Sequence, residues 1–207
     1  MSNVIVWFHN DLRLGDNPAL VKAIESGNKI IPIYIWDEKD SDLHTGSAGK
    51  WWLHQSLDRL SNRIEELGNK LVLRKGDPKS ILQEFISQNK VSKIFMNRRF
   101  EPQIIDRDED ILSQIDHEIT NGNLLFDPED IRTKQDKQYT VFTPFWKNCK
   151  MQTEPHEPLA IPSEIPAPDK FPESLSLDEM GLLPKIKWYE TFETVSYTHL
   201  RAHETST

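Results

Sequence analysis

Within seven residues, Asn97, Arg98, Arg99, Phe100, Glu101, Pro102 and Gln103 gather two guanidiniums, a carboxylate, two amides and an aromatic ring. Such a group can hold an anionic or planar heterocyclic ligand, and it can equally form a solvated ion pair at a helix start. A second cluster, residues 46–55, opens with small residues and then supplies Lys50, Trp51, Trp52 and His54. A helix N-terminus of this composition favours anions and tryptophan stacks planar rings; the alternative is that Trp51 and Trp52 are bulky packing residues. His54 has no second group at the spacing of a nucleophile triad and reads as a surface or core histidine. The loop from His9 to Asn17 has one glycine where a dinucleotide fingerprint has three, and no Walker A pattern occurs anywhere, so dehydrogenase and P-loop readings fall. Asp11 and Arg13 in that loop are placed to pair and brace the turn. His199 and His203, four apart, match one face of a zinc-binding helix, but the catalytic glutamate of such motifs and a third ligand are missing.

The elements that position these loops read as alternating strands and helices. Apolar runs at Val4–His9, Ile30–Trp36, Lys70–Lys75, Lys93–Asn97 and Leu124–Asp127 are rich in Val, Ile, Leu, Phe and Tyr, which suits strands covered on both faces. Pro32 lacks a ladder donor, so a bulge or strand start is expected there. Between the runs, Asp16 or Asn17 caps a helix that opens on Pro18, and Asp77-Pro78 repeats the device. Leu53, Leu57, Leu60, Ile64 and Leu67 form a single helical stripe. Gly27-Asn28, Gly68-Asn69 and Gly122-Asn123 are written as helix-to-strand turns. The sum is an α/β fold, a doubly wound five-stranded parallel sheet of Rossmann-like type over residues 1–131. Ligands bind such sheets outside the carboxyl ends of the strands.

Residues 132–194 read as a connector. Pro144-Phe145-Trp146 can open a short helix, and six prolines at 155, 158, 162, 166, 168 and 172 forbid a helix or a central strand beyond it. The connector is expected to wrap the first domain and lead to a second. Phe142, Phe145, Trp146 and Trp188 are expected to pack against that second domain and, left exposed in a shorter chain, to form an apolar patch prone to association.

The 207 residues carry 25 Lys and Arg against 33 Asp and Glu, a formal charge of −8, with 37% hydrophobic residues and one cysteine, Cys149. This excludes an internal disulfide and leaves a core held by packing, as a reducing compartment allows. No apolar run is long enough for a membrane span, and the N-terminus has no secretory pattern, so a cytoplasmic protein without membrane attachment is expected. The acidic balance argues against a nucleic-acid surface on this segment.

Four stretches, in order, resemble the DNA photolyase/cryptochrome family: Val6–Leu20 (VWFHNDLRLGDNPAL), Ser47–Leu57 (SAGKWWLHQSL), Asn97–Pro102 (NRRFEP) and Val141–Lys147 (VFTPFWK). Leu182–Trp188 is similar to the stretch ahead of that family's helical domain, and the likeness covers residues 1–194. The resemblance implies a light-driven carbon-carbon lyase. An N-terminal α/β domain carries an antenna chromophore, and a helical domain holds FAD and damaged DNA, from which a pyrimidine dimer is flipped out for repair. The motifs of the helical domain are absent from this sequence, so FAD and damaged DNA are expected as partners of a full-length, monomeric protein only. For the chain itself the resemblance implies an antenna pocket with Asp37, Lys50, Asn97, Arg98, Glu101 and Gln103 as wall and rim. Folate-type members carry an Asn-Glu pair where this sequence has Gln103-Ile104, a departure that speaks against a folate and leaves a deazaflavin, another flavin or an empty site. A cryptochrome-type photoreceptor and a stand-alone nucleotide-binding module are the alternatives. Residues 195–207 resemble the translation of a sequencing-library adapter and are set apart as non-native, which makes the chain a shortened gene product expected to be inactive by itself.

Overall fold

The computed structural model describes residues 2–38, 46–127, 129–151 and 157–190. The 195–207 segment with His199 and His203 lies outside them. Strands β1 (Asn3–Phe8), β2 (Lys29–Trp36), β3 (Val72–Lys75), β4 (Val91–Asn97) and β5 (His117–Thr120) form one sheet in the order β3-β2-β1-β4-β5, every neighbouring pair parallel. The connections are α1 (Pro18–Glu25), α2 (Ser47–Glu66), α3 (Pro78–Asn89) and α4 (Pro102–Leu112), and α5 (Phe142–Met151) follows the sheet. Strand alternation divides the core. Val4, Val6 and Phe8 pack with Ile30, Tyr34, Leu57, Leu60 and Ile64 under α1 and α2, while Ile5 and Trp7 pack with Ile31, Ile33, Leu82, Phe85 and Ile94 under α3 and α4.

Local chemistry sets the helix ends. Asn17 caps α1 by accepting from Leu20 N (3.2 Å), and Asp77 caps α3 by accepting from Ser80 N (3.0 Å); each is followed by proline. Gly27 and Gly68 take positive φ just beyond α1 and α2. Gly122 does not follow a helix; it lies beyond β5, where a Cβ would come within 2.5 Å of the Asn97 amide. Close approach, not positive φ, requires glycine there.

The fifth strand is His117–Thr120 and not Leu124–Asp127. An edge strand needs only half-burial, so its apolar content is low, whereas Leu124 and Leu125 are exposed side chains of the following loop. Pro32 makes neither a bulge nor a strand start. It sits inside β2 in register with Val6. Ile30 N donates outward to Pro166 O (2.8 Å), and Pro32, two residues on, faces the same way at a level where β3 has not begun, since pairing starts at Ile33 and Val72. The missing donor therefore costs no ladder bond.

The proline-rich stretch runs along the domain as an extended strap. Asp16 N donates to Leu159 O (2.8 Å), Ile165 N to Leu67 O (3.0 Å) and Leu175 N to Leu73 O (2.9 Å), so strap backbone satisfies loop and edge-strand groups that a sheet rim otherwise leaves open. Asn69 Nδ2 adds bonds to Ile30 O and Pro166 O. Ile165, Met180 and Leu182 are fully buried in the α1/α2 layer. Ile165→Ala is expected to cost about 3 kcal/mol in urea unfolding, and the half-exposed Phe171→Ala on the same strap under about 1 kcal/mol; equal effects would show that the strap does not share the core.

Candidate functional site

The carboxyl ends of the strands are organised around Asn97, which is buried at the end of β4. Its Nδ2 donates to Asp11 Oδ2 and to Asn17 Oδ1 (2.9 Å), and its Oδ1 accepts from Thr120 Oγ1 (2.7 Å) and Ala19 N (3.3 Å). Asp11, also buried, accepts from His9 N (2.8 Å) through its other oxygen. One amide thus joins the β1–α1 loop, the first turn of α1, β4 and β5. Arg13 does not pair with Asp11. Its guanidinium donates to Asp16 O and Gly122 O, which bridges the loops after β1 and β5 and supports Asp16 at φ +49°.

Beside this knot, on the α3/α4 side of the sheet, lies a charged floor. Arg99 is buried in a bidentate pair with Asp108 of α4, its guanidinium 5.7 Å from the Trp7 ring centroid. Arg107 joins Asp37 at the end of β2 (3.5 Å) to Asp108 (3.6 Å). His9 packs on Trp7 at 4.3 Å between centroids, and both its ring nitrogens are buried without a hydrogen-bond partner. Burial, with the cations of Arg99 and Arg107 adding to it, holds the His9 imidazole well below the ordinary histidine pKa, so it is neutral at physiological pH.

On the α2 side a cleft of about 500 Å³ opens between the β1–α1 loop, the end of β2 and the start of α2. Tyr34, Trp36, Leu12, Leu53 and Trp52 line it, with Asn10, Arg13 and Ser56 as polar groups. Lys50 Nζ stands 6.0 Å from the Trp36 ring centroid. An apolar cleft with flanking indoles and cations suits a planar, heteroaromatic or anionic ligand.

The DNA photolyase family model matches residues 4–168 of the chain. A deoxyribodipyrimidine photo-lyase of Agrobacterium fabrum is 39% identical over 198 residues, covering 93% of this chain and 41% of the relative. This chain belongs to the DNA photolyase family. Cryptochrome-1 of Arabidopsis thaliana is 32% identical over 169 residues, 78% of this chain and 25% of the relative. The crystal structure of a bacterial class III photolyase from Agrobacterium tumefaciens superposes with a TM-score of 0.87 at 37% identity, over 94% of this chain and 41% of that one. A Synechocystis cryptochrome superposes at 0.79 with 26% identity, over 90% of this chain and 41% of that one. The chain spans less than half the length of these photolyase-family relatives.

The structure distributes the residues singled out from the sequence of this photolyase-family chain. Lys50 stands over the Trp36 ring, while Asp37, the next residue after Trp36, is drawn to Arg107 of α4. Asn97 is spent inside the knot, and Arg98 turns away to Asp127 (3.7 Å) and Glu129 (3.2 Å). Glu101 precedes α4 as an exposed residue and accepts from Phe100 N (3.1 Å). Gln103 falls in the first turn of α4, with its side chain outside the described residues. The two tryptophans divide: Trp51 stacks on Tyr189 at 5.9 Å and meets Trp188 at 6.0 Å, whereas Trp52 is 65% exposed at the cleft. His9, Trp36, Arg107 and Asp108 were missed as site residues. His9 and Trp36 carry only the signal of lying at strand ends, and Arg107 and Asp108 none, because their contacts run from the middle of α4 to Asp37 at the end of β2 and to Arg99 in the loop before the helix.

Asn97→Ala would leave Asp11 and Ala19 N short of partners and is expected to cost about 3 kcal/mol; a loss below about 1 kcal/mol in urea unfolding would contradict the knot. His9 supplies a pH test. Its folded pKa lies below the unfolded value near 6.5, so no effect arises above that pH, and stability falls as pH drops through it by up to about 1.4 kcal/mol per unit. His9→Phe should flatten this acid-side loss between pH 6.5 and 5, and an unchanged slope would place the titration elsewhere.

Proposed function

We propose that this chain is the antenna part of a deoxyribodipyrimidine photolyase, and that the cleft between Trp36, Trp52 and the start of α2 holds the light-harvesting chromophore. The 39% identity to the Agrobacterium photo-lyase, extending over 93% of the chain, carries the photolyase reading. The lining of the cleft supports the chromophore reading, because indole faces accept a planar ring and Lys50 and Arg13 can neutralise an anionic tail. Asp37, held by Arg107, and Glu101 at the start of α4 belong to the charged floor toward α3 and α4 and lie outside the lining of this cleft, as does Gln103 in the first turn of α4. Asn97 would serve by fixing the loops, and Arg98 by fixing the 127–129 segment. The bound chromophore, a deazaflavin, a folate or a flavin, would absorb light and pass excitation on, a task that asks no acid or base of the protein. FAD and damaged DNA would belong to a complete protein of the relatives' length.

The 32% identity to an Arabidopsis cryptochrome favours a second reading, a photoreceptor that signals and does not repair. The antenna role is common to both.

Titration of the chain with an 8-hydroxydeazaflavin, methenyltetrahydrofolate and FMN, followed by tryptophan fluorescence, tests the cleft. One of the three should saturate, and Trp36→Ala should weaken it by at least about tenfold; no binding by any of them, or an unaffected Trp36→Ala variant, would sink the assignment. The chain with added FAD should show no light-dependent dimer repair, and measurable repair would overturn the division of labour.

A further inference from the structure

Asparagine is followed by glycine once in the 207 residues, at Asn121-Gly122. The pair lies just beyond β5, outside any strand or helix, and Asn121 is half-buried. Three features of its surroundings bear on one reaction, the attack of a backbone nitrogen on the side-chain amide that precedes it. Gly122 has no side chain to crowd the approach and cannot gain one, because a Cβ there would come within 2.5 Å of the Asn97 amide. Gly122 N, the attacking atom, donates to no acceptor among the described residues, so no hydrogen bond has to break first. Asn121 Oδ1 accepts from Leu124 N (3.4 Å), which turns an N–H dipole toward the oxygen where negative charge develops during the attack.

We propose that Asn121-Gly122 is a site of spontaneous deamidation, and that its isoaspartyl product releases the loop after β5 from the Asn97 knot. The Gly122 nitrogen gives its proton to hydroxide or a buffer base and bonds to Asn121 Cγ. The Cγ–Nδ2 bond breaks and ammonia leaves with a proton from water, closing a succinimide ring. Water then opens the ring at either carbonyl. Cleavage between Cγ and the Gly122 nitrogen gives aspartate in an unaltered main chain. Cleavage at the backbone carbonyl gives isoaspartate, whose main chain runs through Cβ and Cγ. Overall one water is consumed and one ammonia released, with no oxidant or cofactor. All bonds made and broken lie within one dipeptide, so the reaction needs solvent at the loop and no open face.

The two products act differently on the fold. Both add a negative charge, but only isoaspartate lengthens the main chain, by one bond of about 1.5 Å. On one side of the insertion Thr120 is held by its Oγ1 bond to Asn97 Oδ1 and by strand pairing with Asn97. On the other, Gly122 is held by contact with the same amide and by the Arg13 guanidinium on its carbonyl oxygen. An extra atom between two points packed on one side chain forces one of them away. Arg13 also lines the cleft, so the change reaches the ligand end of the sheet, but neither step depends on what the cleft holds.

Ageing of the 207-residue chain at mildly alkaline pH, followed by peptide mass mapping that separates aspartyl from isoaspartyl products, tests the site. Asn121 should convert at least about tenfold faster than Asn123, which shares the loop but is followed by the bulkier Leu124. The folded chain should convert within about tenfold of the rate in urea, because folding leaves the attacking nitrogen unbonded. The purified isoaspartyl chain should unfold at a urea midpoint at least about 0.5 M below the unaged protein, whereas fresh Asn121→Asp, which adds the charge alone, should stay within about 0.2 M. Asn121→Gln, whose longer side chain must close a larger ring, should keep its midpoint through the same ageing. Conversion at Asn121 no faster than at Asn123, or a folded chain slower than the unfolded one by more than about tenfold, would overturn the proposal. So would an isoaspartyl chain with the unaged midpoint, an Asn121→Asp midpoint as low as the isoaspartyl one, or Asn121→Gln losing stability on ageing as the unsubstituted chain does.

Discussion

The Asn97 amide is the constraint on which the ligand end of the sheet depends. Its four hydrogen bonds tie Asp11, Asn17, Ala19 and Thr120 to one buried point, so the β1–α1 loop, the first turn of α1, β4 and β5 share a single anchoring group, to which Arg13 and Arg98 add bridges between the loops. A buried polar network of this kind tolerates no partial version, since each lost partner leaves a desolvated donor or acceptor. It also reaches into residues that look unrelated. Gly122 must lack a side chain because the amide occupies the space a Cβ would fill, and Arg13 spans the same gap from solvent.

The knot divides two environments with different physics. Toward α4, Arg99 and Arg107 are matched by Asp108 and Asp37, and burial, with the two guanidiniums adding to it, keeps His9 neutral beside Trp7. Toward α2, charge is sparse and aromatic surface dominates, which leaves room for a planar guest. The strap closes the opposite rim. By bonding to Ile30, Leu67 and Leu73 and burying Ile165, it makes the sheet edge part of the interior, so the proline-rich stretch belongs to the same core as β1 and β2.

Features governed by neighbours in the chain were legible in the sequence. The caps at Asn17 and Asp77, the glycine turns at 27 and 68 and the stripe on α2 follow from local geometry, and together they imply the parallel sheet. The fifth strand was misplaced because a continuous apolar run marks a strand buried on both faces, whereas β5 lies at the edge and Leu124–Leu125 are loop residues. Pro32 looked disruptive because the sequence does not show that the strap, rather than a strand, faces it.

Among the site residues, Asp37 and Lys50 could be placed at strand and helix ends from pattern alone. What distinguishes Arg98 from Arg99, or Trp51 from Trp52, is invisible there, since adjacent residues of one type differ only in which way the backbone turns them. The sequence by itself determined the order of strands and helices, their caps and the end of the sheet where ligands gather, because those depend on interactions a few residues long. The tertiary structure alone decided that Asn97 is a knot, that His9 is buried without a partner and that Gly122 lies against Asn97, because each depends on groups dozens of residues apart meeting or failing to meet.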